Sequence, residues 1–186
     1  MISVPGWITK DQCEFHLKFI EKKNGRILEV GAFGGRLFNY LQPVFPGWRY
    51  HAVNAWTEHK TYIPADSDEI YRLDTNVKNP LEKNLMTIKK FKKNCPYAKA
   101  KDCLFEKYTT THKFDIVSMG QINRDINWYE QYTHALTFLQ PKGIIIARNL
   151  SHPNQGQEIR KAIKESGLKI LEIDNSRTQA ACMLGG

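Results

Sequence analysis

Along the first fifty residues the apolar positions change period twice. Cys13, Leu17 and Ile20 recur at helical spacing after Thr9-x-x-Gln12, a capping-box start, and Asn24-Gly25 ends that segment. Ile27, Leu28 and Val30 then form a short apolar run suited to a strand covered on both faces, which leads into Gly31, Gly34 and Gly35. From Arg36 the helical period returns, with Leu37, Phe38, Leu41 and Phe45. A strand therefore feeds a glycine turn that opens onto a helix N-terminus, where free N–H groups can face a ligand.

The pattern repeats down the chain. Pro43, Pro46 and Gly47 break it, and Arg49 to Val53 reads as a second strand ending at Asn54. Residues 57–77 are polar and unperiodic and read as a surface excursion. A helix is expected from Asn79 as N-cap, with Pro80 in its first turn, Glu82 completing a capping box, and Leu81, Leu85 and Ile88 facing inward. Lys99 to Cys103 and Phe114 to Met119 are strands by composition, the latter ending at Gly120. The next helix has Asn127 and Glu130 at its start and Trp128, Tyr132, Leu136 and Leu139 as its buried stripe. Pro141-Lys142-Gly143 is expected to stop it. Gly143 to Ala147 is an apolar strand, and Ile159, Ala162 and Ile163 mark a helix closed by Gly167. Leu168 to Ile173 and Gln179 to Leu184 form a hairpin around Asp174-Asn175-Ser176. Strands alternating with helices predict an α/β fold, a three-layer sandwich whose mostly parallel seven-stranded sheet takes one antiparallel strand from the C-terminal hairpin.

Composition narrows this picture without naming a function. A chain of 186 residues with 41% hydrophobic content can bury one sizeable core, so a single domain over 1–186 is expected, with 1–24 as an N-terminal helical region. The first 23 residues carry charges throughout and no long apolar run, which predicts neither a secretory signal nor a membrane span, hence a cytoplasmic protein. Cys13, Cys95, Cys103 and Cys182 form no CxxC pair and read as reduced structural thiols, with no zinc implied. The net charge of +8 allows an anionic partner such as nucleic acid without requiring one. Lys83, Lys89, Lys90, Lys92 and Lys93 crowd one expected helix, and a solvated outer face accounts for them more simply than a phosphate-binding surface.

In a sheet of this kind the ligand lies at the carboxyl ends of the strands, so the loops after positions 30, 53, 103, 119 and 147 converge on it. A dinucleotide fingerprint would need glycine where this chain has Phe33, and a phenyl group there would crowd a pyrophosphate. A ligand without phosphates suits the loop better.

Glu29-Val30-Gly31-Ala32-Phe33-Gly34-Gly35 resembles the first motif of class I S-adenosylmethionine-dependent methyltransferases, in particular the E-x-G-x-aromatic-x-G form of the small-molecule O-methyltransferase-like subgroup. Val53-Asn54-Ala55-Trp56 is similar to the end of that family's second strand, where an acid is closely followed by Trp. Lys113-Phe114-Asp115-Ile116-Val117 resembles its fourth-strand motif, and Leu139-Gln140-Pro141-Lys142-Gly143-Ile144-Ile145-Ile146 its approach to the fifth. The similarity runs from about Gly25 to Leu184 and implies a Rossmann-like fold with S-adenosylmethionine as cofactor. By that resemblance Glu29 and the backbone through Gly31, Ala32, Phe33 and Gly35 hold the methionine part. Asn54 faces the ribose in place of the usual acid, Trp56 packs on the adenosine, Asp102 and Cys103 meet the adenine, and Met119 completes the site. Ordinary core packing for Trp56 and a solvated loop position for Asp102 are the competing assignments.

The chain also departs from the family. Members that use a divalent metal carry acids after the fourth strand and at the end of the fifth, whereas here the segments read Gly120-Gln121-Ile122-Asn123-Arg124-Asp125 and Arg148-Asn149-Leu150-Ser151-His152. Hard cations want clustered carboxylates, so no catalytic metal is expected. His152 and Asp125 are the candidate bases, with Asn149 and Gln121 as acceptor-positioning groups. His134 fits a helix face and reads as structural. Three functions follow: methyl transfer to a small hydroxyl or amine acceptor, the same chemistry on RNA or another anionic polymer, and a non-catalytic relative that binds a nucleoside or a partner. A small-molecule acceptor is the expected partner and nucleic acid the less favoured one, with no membrane association. Neither the acceptor nor the oligomeric state is written in the motifs.

Overall fold

A computed structural model describes residue 4 and residues 8–56, 86–120, 126–153 and 155–185. The expected excursion at 57–77, the expected helix start from Asn79 to Leu85, and Gln121 and Asp125 lie outside the described residues. The elements run α1 (Lys10–Leu17), β1 (Arg26–Val30), α2 (Arg36–Leu41), β2 (Arg49–Asn54), α3 (Ile88–Asn94), β3 (Lys99–Asp102), a short 3-10 turn (Phe105–Lys107), β4 (Phe114–Met119), α4 (Trp128–Leu136), β5 (Leu139–Ala147), α5 (Gly156–Glu165), β6 (Leu168–Ile173) and β7 (Ala180–Leu184).

The sheet has seven strands in the order β3-β2-β1-β4-β5-β7-β6, with β7 antiparallel to both of its neighbours and the rest parallel. Chain order reverses between β1 and β4, which is where an open sheet of this kind leaves a crevice. Alternate residues of β1 serve the two faces. Leu28 and Val30 join a core with α4 and α5 through Tyr132, Ala135, Ile159 and Ile163. Ile27 joins a second core with α1, α2 and α3 through Cys13, Phe15, Phe38 and Phe91. Both faces being covered explains why β1 reads as a continuous apolar run. The architecture is the three-layer sandwich expected from the alternation, in the Rossmann-like form that the resemblance implied.

The Thr9 capping box is present: the Thr9 side chain accepts from the Gln12 N–H and the Gln12 side chain accepts from the Thr9 N–H. Two sequence expectations need correction. The lysine-bearing helix does not run unbroken from Asn79 through Lys93. It starts at Ile88, because Thr87 is extended and its hydroxyl accepts from the Lys90 N–H. Phe91, rather than Ile88, is its buried residue. Leu139 does not belong to the stripe of α4 either; it opens β5, opposite Phe114. Pro141-Lys142-Gly143 lies inside that strand as an irregularity with Lys142 at φ 65°, and the register shifts between Phe114 and Ile116.

His16 sits wholly buried where α1 crosses the sheet. Its Nδ1–H donates to the Gln12 carbonyl at 2.8 Å and its Nε2 accepts from the Ser118 hydroxyl at 2.9 Å. Burial, with the Arg148 charge second, holds its pKa down to about 3, so the ring is neutral.

Gly35 shows the tightest fit between loop and layer. It has φ +87°, and a Cβ there would lie 2.3 Å from the Cys95 sulfur and 3.0 Å from the Phe91 ring. Gly35→Ala should cost about 2–5 kcal/mol, the left-handed penalty and the overpacking acting together. Urea denaturation measures it. Cys95→Ala should recover part of the loss, and an unchanged midpoint in Gly35→Ala would contradict the contact.

Candidate functional site

The backbone ladder continues past the strand ends and brings the loops level. Gly31 N donates to Val53 O at 2.9 Å, Gly120 N to Val30 O at 2.8 Å and Arg148 N to Met119 O at 3.0 Å. Between β1 and β4 this leaves a cleft of about 430 Å³, solvent mouth included, walled by Glu29, Gly31, Ala32, Phe33, Gly120 and Arg148, with Ile8, Gln12, Arg36 and Asn149 at its sides.

The glycine loop is tied down from outside. Trp56 Nε1 donates to Phe33 O at 2.8 Å, Asn94 Nδ2 to Gly34 O at 3.0 Å and Asn39 Nδ2 to Gly35 O at 3.1 Å. Three successive carbonyls are thus held by side chains from the segment after β2, from α3 and from α2. The loop needs unusual backbone angles to do this: Gly31 is at φ 80°, Phe33 at 44° and Gly35 at 87°. A side chain in the left-handed region is uncommon, so Phe33 is held there by its burial and by the Trp56 bond.

At the bottom of the cleft lies a buried ion pair. Arg148 Nη1 is 3.2 Å from Glu29 Oε1, and the two residues are 8% and 2% exposed. Register explains the meeting. Glu29 pairs with Ser118 and Ser118 with Ile146, so Glu29 and Arg148, two residues past Ile146, leave the same face of the sheet. Burial pushes Glu29 from its ordinary 4.5 up to about 7 even with Arg148 beside it. Glu29 Oε2 and Arg148 Nε are both buried without a hydrogen-bond partner among the described residues. The guanidinium lies directly over Gly120, where a Cβ would come within 1.3 Å of Nη2.

Of the residues singled out from sequence, Glu29, Gly31, Ala32 and Phe33 line this cleft. Gly35 forms the N-cap of α2 below it. Asn54 and Asp102 are register partners on β2 and β3, and Cys103 N donates to Asn54 O at 3.3 Å, so these three stand together at the carboxyl edge. Met119 is buried at the end of β4. Trp56 is 3% exposed, with its ring 5.0 Å from that of Phe91, and packs as a core residue. His152 lies on the loop after β5, its N–H donating to Asn149 O at 3.0 Å, and is not among the residues lining the cleft. His134 is structural as expected: Nε2 is 3.0 Å from Tyr108 O. The cysteines are free, and burial pushes the Cys13 thiol up to about 12 and Cys95 up to about 11. No group of three or more metal-ligating side chains occurs among the described residues. No helix among them is long and apolar enough to cross a membrane.

Sequence reading missed that Arg148, Arg36, Gln12 and Ile8 belong to the cleft. The available signal was charge: an acid inside the apolar run Ile27 to Val30 needs a partner, and Arg148 is the base that directly follows the apolar strand Gly143 to Ala147.

No protein-family model matches the sequence, and no curated protein matches it. Solved structures do share its fold. A glycopeptide N-methyltransferase with S-adenosyl-L-methionine bound superposes with a TM-score of 0.63 at 10% identity, covering 98% of this chain and 96% of that one. Precorrin-6y C5,15-methyltransferase from Geobacter metallireducens gives 0.61 at 10% identity over 95% and 88% of the two chains. An S-adenosylmethionine-dependent methyltransferase from Clostridium acetobutylicum gives 0.59 at 10% identity over 95% and 90%. The chain has the fold of the class I S-adenosylmethionine-dependent methyltransferases.

Removing one member of a buried pair strands the other, which usually costs about 3–5 kcal/mol. Arg148→Met should therefore destabilise the fold by about 3 kcal/mol, the low end, because Glu29 can take up a proton instead. The loss should depend on pH. Without Arg148 the folded pKa of Glu29 rises further above its unfolded value, and the stability held by a raised carboxyl is lost as pH climbs through the folded pKa. Urea melts should show a larger deficit at pH 8 than at pH 5, and adding Glu29→Gln should restore most of it. Equal deficits at both pH values would rule out the coupling.

Proposed function

We propose that this protein transfers a methyl group from S-adenosylmethionine to a small hydroxyl or amine acceptor without a catalytic metal. The observation that carries the reading is Glu29: a buried carboxyl whose Oε2 has no partner among the described residues, facing a cleft walled by the glycine loop at the β1–β4 crevice. An acceptor atom left open in that position fits the α-ammonium of an amino-acid ligand. The shared fold with methyltransferases, one of them holding S-adenosyl-L-methionine, supports the same ligand class.

The cofactor, when bound, supplies a methyl group on a positively charged sulfur. This chain's residues then have a positioning task. Glu29 and the main chain from Gly31 to Gly35 hold the amino-acid end. Asn54 takes a ribose hydroxyl, accepting one hydrogen bond or donating another, and Asp102 with Cys103 flanks the base. Met119, buried at the end of β4, backs the site from the core. His152 is the proposed proton acceptor for the nucleophile, with Asp125 as the second candidate and Asn149 holding the acceptor. Metal independence is inferred from donor chemistry: β4 and β5 are followed by Gly120 and by Arg148 and Asn149, and a guanidinium beside Glu29 repels a divalent cation where carboxylates would be needed.

S-adenosylhomocysteine should bind and raise the melting temperature, since a ligand of the folded state stabilises it by about 2.7 kcal/mol at a hundredfold excess over Kd. Calorimetry with no heat at millimolar ligand would remove the cofactor assignment and leave a non-catalytic relative of the fold. Asn54→Asp should tighten that binding by about 0.5–1.5 kcal/mol, one hydrogen bond's worth.

Methyl transfer should survive EDTA. Activity lost on chelation and restored by magnesium would overturn metal independence.

A further inference from the structure

At the opposite edge of the sheet, where the strands begin, two arginines stand side by side. Arg26 and Arg49 are direct register partners on β1 and β2, so their side chains leave the same face next to each other. Like charges opposed in this way repel. Among the described residues neither guanidinium has an ion pair with a carboxylate. Asp115 lines the same cleft, but its oxygens accept from Arg26 N at 2.9 Å and from Lys22 Nζ at 3.3 Å. Arg26 Nε is buried and has no hydrogen-bond partner among the described residues.

The cleft is shaped by close approaches that only glycine permits. It is a shallow, open depression between Asn24-Gly25-Arg26 and Gly47, Arg49 and Asp115, about 790 Å³ with the adjoining solvent counted in. A Cβ on Gly25 would lie 2.7 Å from the Trp48 ring, and one on Gly47 would lie 2.3 Å from Asn24 Oδ1. Arg49 N donates to Gly25 O at 2.8 Å, locking the two loops together. The positive field extends beyond the pair. His51, two residues past Arg49 on the same face, is in register with Lys99, and its ring is 5.2 Å from that of His112. Burial, and after it His112, Lys99, Arg26 and Arg49, hold His51 down to about 4, which leaves that ring neutral amid its basic neighbours.

We infer that this edge is a second binding site, in which the paired guanidiniums of Arg26 and Arg49 grip a phosphate group. Two guanidiniums carried on one face by neighbouring register positions can supply donors to phosphate oxygens, and the bound dianion removes the repulsion that the register creates. The site lies at the far end of β1 from Glu29 and the glycine loop, so it is separate from the methyl-transfer cleft and does not rest on the function proposed for it. A small phosphorylated molecule and an RNA backbone present the same group.

The probes are pyrophosphate, by calorimetry, and a short labelled single-stranded RNA, by fluorescence anisotropy. Wild type should bind pyrophosphate. Arg49→Gln should weaken it about tenfold or more, as expected for a lost charge-assisted bond. Arg49→Lys, which keeps the charge and loses the fork, should fall between, and S-adenosylhomocysteine affinity should not move. RNA bound much more tightly than pyrophosphate, with a log–log salt slope near −0.7 per contact and the same sensitivity to Arg49, identifies a nucleic-acid backbone as the source. Pyrophosphate bound as well as RNA or better identifies a small ligand. Neither probe binding, or binding unchanged in both Arg49→Gln and the Arg26→Gln/Arg49→Gln variant with wild-type circular dichroism, would overturn the site.

Discussion

The carboxyl edge of the sheet depends on the burial of Glu29. A carboxylate 2% exposed beneath a glycine loop is costly to ionise, and the cost is offset only in part by one guanidinium at 3.2 Å that is itself taken out of water. The pair then dictates its surroundings. Gly120 is small because Arg148 lies across it, not because its backbone requires a left-handed angle, for it is absent from the positive-φ positions. The His16 ring under the same face stays neutral chiefly because it is buried, with the Arg148 charge adding to the effect. Cys13 is held as a thiol by burial and by Glu29.

The loop above the pair is rigid for a different reason. Its carbonyls are spent on Trp56, Asn94 and Asn39, so the segment from Phe33 to Gly35 is fastened to α2 and α3. A binding loop fixed on packed elements is pre-organised, and less ordering entropy is lost when a ligand arrives. This also changes what Trp56 does. Its ring belongs to the aromatic packing around Phe91, and its contribution to the cleft is the hydrogen bond that holds Phe33 in a conformation it would otherwise avoid.

The two edges of the sheet differ in how they treat charge. At the carboxyl edge opposite charges are paired and dry. At the amino edge Arg26 and Arg49 are alike and wetter, and the acid nearby is used by the backbone and by Lys22. An overall charge of +8 is therefore not spread evenly over a solvated surface; part of it is concentrated by strand register.

Much of the architecture was legible in the sequence because periodicity reports burial locally. The runs at Ile27 to Val30 and Phe114 to Met119, the Thr9 capping box and the turn around Asp174 each state their own conformation within a few residues, and their alternation implies a parallel sheet with a reversed C-terminal strand. The glycine loop was legible for the same reason. Local pattern failed where a single side chain or a distant strand decided the outcome. The Thr87 hydroxyl caps α3 and sets its start at Ile88, and Leu139 left the stripe of α4 to pair with Phe114. The ion pair joins positions 29 and 148, and the arginine pair joins 26 and 49, through strand register, which is set by all the side chains that pack on both faces at once. Short-range signals carry conformation; only the assembled sheet could decide which charges would meet.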